Sequence, residues 1–201
     1  VTRRYAPGMP KLWTDTIEAH RRDGGDAILG AAAALLDEVG RDLTMSGVAE
    51  AAGIGRATLY KYFHDVDDIL VALHERHIHA HLEHLLRLGR APGEPLDRLH
   101  AMLRAYATLR QGHSGTQIEA MLHGNVHVAR AHERLHAAFV EVLAEGVDAR
   151  SVRDDVGPDE LATFCVHALA AAGDLPSKAA ARRLVDVIVT GVARHHGVRR
   201  Q

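Results

Sequence analysis

Histidines at metal-binding spacing are the first residues in this chain whose types could do chemistry. The 201-residue sequence contains 16 of them. His132, Glu133 and His136 spell H-E-x-x-H on a predicted helix, the pattern in which two histidines bind zinc and the glutamate acts as general base. The context of a third ligand is missing, and no sheet is predicted that could hold a peptide substrate. We therefore prefer a surface or pocket-edge pair and keep a zinc hydrolase as an alternative.

A second set of histidines, His74, His77, His81 and His84, is spaced three, four and three residues apart. On a helix this spacing confines them to an arc of about 80 degrees, which Leu70 and Leu88 share. We therefore expect the row to face inward or toward a neighbouring helix. The preferred interpretation is the polar lining of a ligand pocket or of a groove between helices. Zinc or nickel binding by histidines four apart, and a protonation-sensitive pocket, are the alternatives.

Other catalytic patterns are missing from the sequence, which predicts a protein that is not an enzyme and needs no cofactor. Cys165 is the only cysteine, so no internal disulfide can form. The Gly53-Ile54-Gly55 stretch follows a predicted helix instead of a strand, which argues against a phosphate-binding loop. The longest uncharged apolar run, residues 28–36, is too short to span a bilayer, and no signal peptide is recognisable at the start. We expect no membrane association and a cytoplasmic location.

The elements that must position these residues are all predicted to be helical. Apolar residues recur three and four apart between the prolines. Predicted helices cover about 26–39, 44–52, 55–63, 65–89, 95–110, 115–123, 128–149, 158–172 and 177–196. Asp26 is predicted to cap the first helix and Gly40 to end it. Residues 185–189 could form a strand, but no second strand-like segment exists to pair with it.

Residues 44–63 read T-M-S-G-V-A-E-A-A-G-I-G-R-A-T-L-Y-K-Y-F, which predicts a helix-turn-helix. Gly53 closes the first helix, Ile54 fills the gap between the helices, and Val48, Ala49, Leu59 and Phe63 are expected to be buried together. At the start of the second helix, Arg56 can pair with guanine while the methyl groups of Ala57 and Thr58 contact thymine. Tyr60, Lys61 and Tyr62 are expected to reach flanking phosphates. The predicted DNA-binding residues are Thr44, Met45, Ser46, Gly55, Arg56, Ala57, Thr58, Tyr60, Lys61 and Tyr62.

Residues 28–70 resemble the N-terminal domain of TetR-family transcriptional regulators. The resemblance rests on A-A-A-A-L-L-D-E-V-G, on G-I-G-R-A-T-L-Y-K-Y-F and on D-V-D-D-I-L. It implies a three-helix DNA-binding domain, a larger helical domain with an effector pocket, and a four-helix dimer interface made by the last two long helices. Two positions depart from the family pattern. Gly55 stands where a serine or similar cap is common, and Val66 stands where a lysine usually contacts phosphate.

The sequence and the resemblance together predict an all-α protein with a flexible arm at residues 1–22, a helix-turn-helix domain at 23–66 and an effector-binding and dimerisation domain at 67–201. We expect a ligand-responsive repressor that binds an inverted-repeat DNA operator as a homodimer and is released by a small-molecule effector. A metal-responsive regulator that uses the histidine row is the alternative. The candidate pocket residues are His74, His77, His81, His84, Met102, Tyr106, Met121 and Phe139. The candidate dimer residues are Phe164, His167, Ala168, Leu184, Ile188 and Val192.

Overall fold

The computed structural model describes residues 11–112 and 126–194, and this part of the chain is helical. The helices are α1 (Lys11–Val39), α2 (Met45–Ala51), α3 (Arg56–Leu59), α4 (Val66–Gly89), α5 (Pro95–Gly112), α6 (Val126–Asp148), α7 (Pro158–Ala170) and α8 (Lys178–Val192). The described residues form no strand, and residues 185–189 lie inside α8. The all-α prediction is therefore confirmed. Among the described helices, none combines the length and the hydropathy that a membrane span requires.

The chain divides into two compact units, of which the first ends at His74 and the second begins at Glu75. The sequence placed this division eight residues earlier, between 66 and 67. It falls inside α4 because Ile69 and Leu73 of that helix belong to the core of the first unit, where they pack with Ile28, Leu29, Ala32, Leu43, Val48, Ala49 and Leu59. The start of α4 is thus part of the N-terminal unit.

The second unit is built on a larger apolar core shared by the rest of α4 and by α5 to α8. Its fully buried side chains include Leu99, Met102, Leu103, Phe139, Leu143, Leu169 and Ile188. The segment that follows α6 is hydrogen-bonded to the end of α8. The backbone N–H of Arg153 donates to the carbonyl of Val192 over 3.0 Å.

Helix α1 differs most from its prediction. It begins at Lys11 and runs through Asp26, so Asp26 is not an N-cap, and residues 11–22 are helical where a flexible arm was expected. Gly24 and Gly25 lie inside this helix, where each glycine costs about 1 kcal/mol relative to alanine. Packing outweighs this cost, since Gly24 lies directly against the ring of Tyr62. The predicted end at Gly40 is confirmed, with φ +59 at that glycine. The predicted helix at 115–123 lies outside the described residues.

Candidate nucleic-acid interface

Local hydrogen bonds set the ends of α2 and α3. The hydroxyl oxygen of Thr44 accepts a hydrogen bond from the backbone N–H of Gly47 over 3.1 Å and so caps α2. Gly53 adopts φ +65, a left-handed conformation that glycine takes without a steric penalty. The N–H of Ile54 then donates to the carbonyl of Ala49 over 2.9 Å, which closes the turn. Helix α3 starts after Gly55, which provides no side-chain cap. The predicted helix-turn-helix is therefore present.

Burial separates an inner from an outer face of this motif. Val48, Ala49 and Leu59 are buried, and Ile54 and Phe63 are half-buried against them, close to the prediction. The predicted DNA-binding residues that are exposed are Thr44, Ser46, Gly55, Arg56, Ala57, Thr58, Tyr60 and Lys61, whereas Met45 is half-buried. The outer face thus presents a guanidinium, an ammonium, hydroxyl groups and a phenol, all groups that hydrogen-bond to bases or phosphates.

A hydrogen bond between the two helices holds Arg56 in place. Its Nη2 atom donates to the hydroxyl oxygen of Ser46 over 2.6 Å. The two residues are ten positions apart, and no sequence pattern pairs them. They meet because the starts of α2 and α3 lie side by side. Ser46 and Arg56 therefore form one polar unit on the outer face.

Tyr62 is placed differently from the prediction. It is half-buried and packs into the core of the first unit, so the expectation that it is exposed was wrong. The helical segment of α3 ends at Leu59, and the turns that follow direct the Tyr62 ring onto α1. A Cβ atom on Gly24 would lie only 2.6 Å from the Tyr62 hydroxyl oxygen. Tyr60 and Lys61 are the exposed residues of the Y-K-Y string.

The start of α4 carries negative charge. Asp65 caps the helix by accepting from the N–H of Asp68 over 2.9 Å. The backbone N–H of His64 donates to the Asp68 carboxylate over 2.9 Å, and hydrogen bonds from His64 lower the pKa of Asp68. Val66, where a phosphate-contacting lysine was expected from the resemblance, is half-buried in the core of the first unit. Position 66 therefore provides no positive charge for a DNA phosphate.

Residues 28–73 match the family described as bacterial regulatory proteins, tetR family. This segment belongs to the TetR family. The match covers α2 and α3 whole, together with the end of α1 and the start of α4. The chain therefore carries the DNA-binding domain of a bacterial transcription regulator.

Solved structures show that the TetR fold extends over most of the chain. A TetR/AcrR regulator from Thermobifida fusca has a TM-score of 0.65 at 19% identity, covering 84% of this chain and 98% of its own. A TetR regulator from Haloarcula marismortui also has a TM-score of 0.65 at 19% identity, covering 86% and 99%. The regulator FadR from Bacillus subtilis, solved with stearoyl-CoA, has a TM-score of 0.56 at 16% identity, covering 83% and 98%. At these identities the likeness concerns the fold. No curated protein matches the chain in sequence.

The histidine row of α4 does not face inward as a whole. His77 and His84 are exposed, and His74 and His81 are half-buried, so the inward prediction was wrong for two of the four. The buried stripe of this part of α4 consists of Leu82, Leu85 and Leu86, on the neighbouring arc of the helix. The rings of His77 and His81 contact each other edge to face, with 4.5 Å between the ring centroids. Among the described residues, no group of three or more possible ligands could hold a metal ion.

The H-E-x-x-H residues lie on α6 without a third ligand among the described residues. Glu133 is exposed, and His136 places its Nε2 atom 3.1 Å from the hydroxyl oxygen of Thr163 on α7. His132 is exposed, and partial desolvation of its ring lowers its pKa, as does the nearby charge of Arg110. His136 thus links α6 to α7, and the pair forms no catalytic zinc centre in the described part of the chain.

The remaining pocket candidates divide between core and surface. Met102 and Phe139 are completely buried in the core of the second unit. Tyr106 is half-buried, and burial raises the pKa of its phenol. Met121 lies outside the described residues. Two clefts of about 260 and 240 Å³ are lined by other residues, so none of the candidates lines either of these clefts.

The last two helices present an apolar outer face, but sequence reasoning chose two wrong residues for it. Ile188 and Val192 are buried in the core, whereas Phe164 is 47% exposed and Val187, which was not predicted, is 66% exposed. His167 is exposed, and Ala168 and Leu184 are half-buried. Apolar residues of α8 occupy two adjacent stripes, and spacing alone does not reveal which stripe is buried. The outer apolar face, as we use the term below, consists of Phe164, Ala168, Leu184 and Val187.

Proposed function

We propose that this TetR-family protein is a homodimeric repressor that recognises an inverted-repeat DNA operator through α2 and α3. The observation that carries the proposal is the exposed face around Arg56, whose guanidinium is bonded to Ser46 and remains accessible. Guanidinium groups at the start of a recognition helix pair with guanine, and each such pair discriminates by roughly 1–3 kcal/mol. Such a regulator acts in the cytoplasm, where its operator lies.

Duplex titrations with the DNA upstream of its own coding sequence test the DNA-binding role. Arg56→Ala should relax the preference for one base pair and cost roughly 1–3 kcal/mol on the preferred sequence. Lys61→Ala should weaken binding to all duplexes alike and reduce the salt slope by about one charge. Arg87→Ala, an exposed arginine of α4 in the second unit, serves as the matched control. Equal effects of all three variants would reject this assignment of the interface.

The outer apolar face supports the homodimer part of the proposal. Exposed apolar patches often mark interaction sites, and Phe164 and Val187 supply large exposed apolar side chains on α7 and α8. A two-fold dimer pairs the same surface of both copies and matches an operator of two inverted half-sites. Val187→Glu should yield monomers in light scattering and weaken operator binding, while Ala137→Glu, on the exposed side of α6, should remain dimeric. A dimeric Val187→Glu protein would contradict this part of the proposal.

Release by a small-molecule effector is supported by a polar group in the second unit. The charge of Arg110 acts on both Tyr106 of α5 and His132 of α6, and it lowers the pKa of each. A few polar groups against an apolar wall are typical of ligand sites. The fold is also that of a regulator solved with stearoyl-CoA. An effector lowers operator affinity only by its differential affinity for the free and the DNA-bound states.

Native mass spectrometry of the purified protein, followed by titration of any retained compound into the protein–DNA complex, tests the effector. The compound should dissociate the complex, and a Tyr106→Phe or His132→Ala variant should require more of it. If these variants respond like the unmodified protein, the effector does not bind at Tyr106, Arg110 and His132.

A further inference from the structure

A cleft between α5 and α8 carries three positive charges and has no assigned role. It has a volume of about 240 Å³ and is lined by Arg104, Ala107 and Thr108 of α5 and by Lys178, Ala181, Arg182 and Val185 of α8. Its floor is apolar, since Ala107, Ala181 and Val185 are buried. Its rim is cationic, since Arg104, Lys178 and Arg182 are exposed.

The cations of this cleft face no acidic group within it. No carboxylate is among its lining residues. On the adjacent turn of α8, the carboxylate of Asp186 faces His100, with 3.5 Å between Oδ1 and Nε2. Among the described residues, no ion pair joins an acid to Arg104, Lys178 or Arg182. Three cations therefore face one concave surface, where a bound anion would relieve their mutual repulsion.

The start of α8 adds to the positive potential. Lys178 is its first residue and Arg182 lies one turn later, close to the positive end of the helix macrodipole, where cations are unfavourable and anions are stabilised. The hydroxyl of Ser177 caps the helix by accepting from the N–H of Ala180 over 3.1 Å. The hydroxyl of Thr108 donates to the carbonyl of Arg104 over 2.9 Å, so the charged side chains are the donors left to meet a ligand.

We propose that this cleft binds a phosphate monoester with a small apolar group. Arginine forms paired hydrogen bonds with phosphate, and lysine contributes a point charge. The volume is below the roughly 300–1,000 Å³ typical of pockets for drug-sized ligands, so only a compact molecule fits. Its phosphate lies at the rim between Arg104 and Arg182, and its apolar part faces Ala107 and Ala181. The proposal is independent of the DNA-binding role.

Calorimetric titration of the full-length protein with phenyl phosphate at constant ionic strength tests this. We expect saturable binding that is tighter than for inorganic phosphate, because of the apolar floor. Arg104→Gln and Arg182→Gln should each weaken binding about 10-fold, as expected for the loss of a charged hydrogen-bonding partner. Arg183→Gln, the adjacent exposed position on α8, should bind as the unmodified protein does. Circular dichroism confirms that each variant is folded.

Several results would overturn the proposal. These are no saturable binding of phenyl phosphate at millimolar concentration, an equal loss in Arg183→Gln, and equally tight binding of phenol. A second comparison distinguishes binding of a small phosphate ester from binding of DNA phosphates. Phenyl phosphate should bind Arg56→Ala normally, and duplex affinity should be unaffected by Arg182→Gln. Reduced duplex affinity without phenyl phosphate binding would show that the cleft serves DNA, and the small-molecule proposal would be wrong.

Discussion

The contact between Tyr62 and Gly24 provides a direct test of how the end of the recognition helix is held. The perturbation is Gly24→Ala. The added Cβ would lie 2.6 Å from the Tyr62 hydroxyl oxygen and 3.2 Å from its Cζ. Non-bonded heavy atoms settle at about 3.5–4.0 Å, so the ring must move by about 1 Å. Overpacking of this kind costs about 1–3 kcal/mol, and replacing a helical glycine by alanine returns about 1 kcal/mol. We expect a net loss of about 1 kcal/mol in the free energy of unfolding.

Two further variants isolate the contact. Tyr62→Phe removes the closest atom, so in that background Gly24→Ala should be neutral or stabilising, with a coupling energy of about 1–2 kcal/mol. Gly30→Ala is the matched control, because Gly30 lies in the same helix with nothing within 4 Å of an added Cβ. It should stabilise by about 1 kcal/mol. Urea unfolding followed by circular dichroism measures all of these values.

The same variants decide which role Tyr62 has. If its hydroxyl serves packing on α1, Tyr62→Phe should leave duplex affinity within about two-fold. A hydroxyl bonded to a DNA phosphate would instead be worth about 1.5–3 kcal/mol, or at least about ten-fold in affinity. Additive effects of Gly24→Ala and Tyr62→Phe on stability, or a ten-fold loss of affinity, would refute the reasoning.

Three further changes have expected outcomes. Thr44→Ala removes the cap bond to Gly47 and should destabilise by about 1 kcal/mol in urea unfolding; an unchanged midpoint would mean that water replaces the cap. Gly146→Ala should destabilise because the added Cβ would lie close to a methyl group of Val152, and Val152→Ala should suppress much of that loss; additive losses would argue against the contact. Burial raises the pKa of Cys165 to about 12, so a thiol reagent at pH 8 should react only after unfolding. Since the unfolded thiol ionises near pH 8.5, the contribution of Cys165 to stability is full below that pH and declines as the pH rises toward 12; fast labelling of the folded protein would contradict this.

Local signals explain why α2, the turn and the start of α4 could be predicted. The Thr44 cap, the left-handed Gly53 and the Asp65 cap each act within four residues, so the sequence alone is enough to locate them. The Ser46–Arg56 hydrogen bond and the packing of Tyr62 on α1 depend on how separate helices cross. No spacing rule contains that information, and these were the features that sequence reasoning missed or placed wrongly.

The histidine row shows a related ambiguity. The predicted inward arc was anchored on Leu70 and Leu88, which are only half-buried, whereas Leu82, Leu85 and Leu86 form the buried stripe of the same helix. A helix with leucines on more than one arc has several possible inner faces. Which one is buried is decided by the neighbouring helices, through tertiary packing that overrides local pattern.

Helix α8 combines three surfaces that its sequence merges into one apolar pattern. Val185 and Ile188 are in the core, Val187 is on the outer apolar face, and Arg182 is at the cationic cleft. At about 100 degrees per residue, Arg182 and Val187 are about 140 degrees apart around the helix axis. A subunit partner covering Val187 would therefore leave the cleft accessible. The phosphate site and the dimer interface can be altered separately because the buried stripe keeps the helix in one orientation while two different faces remain exposed.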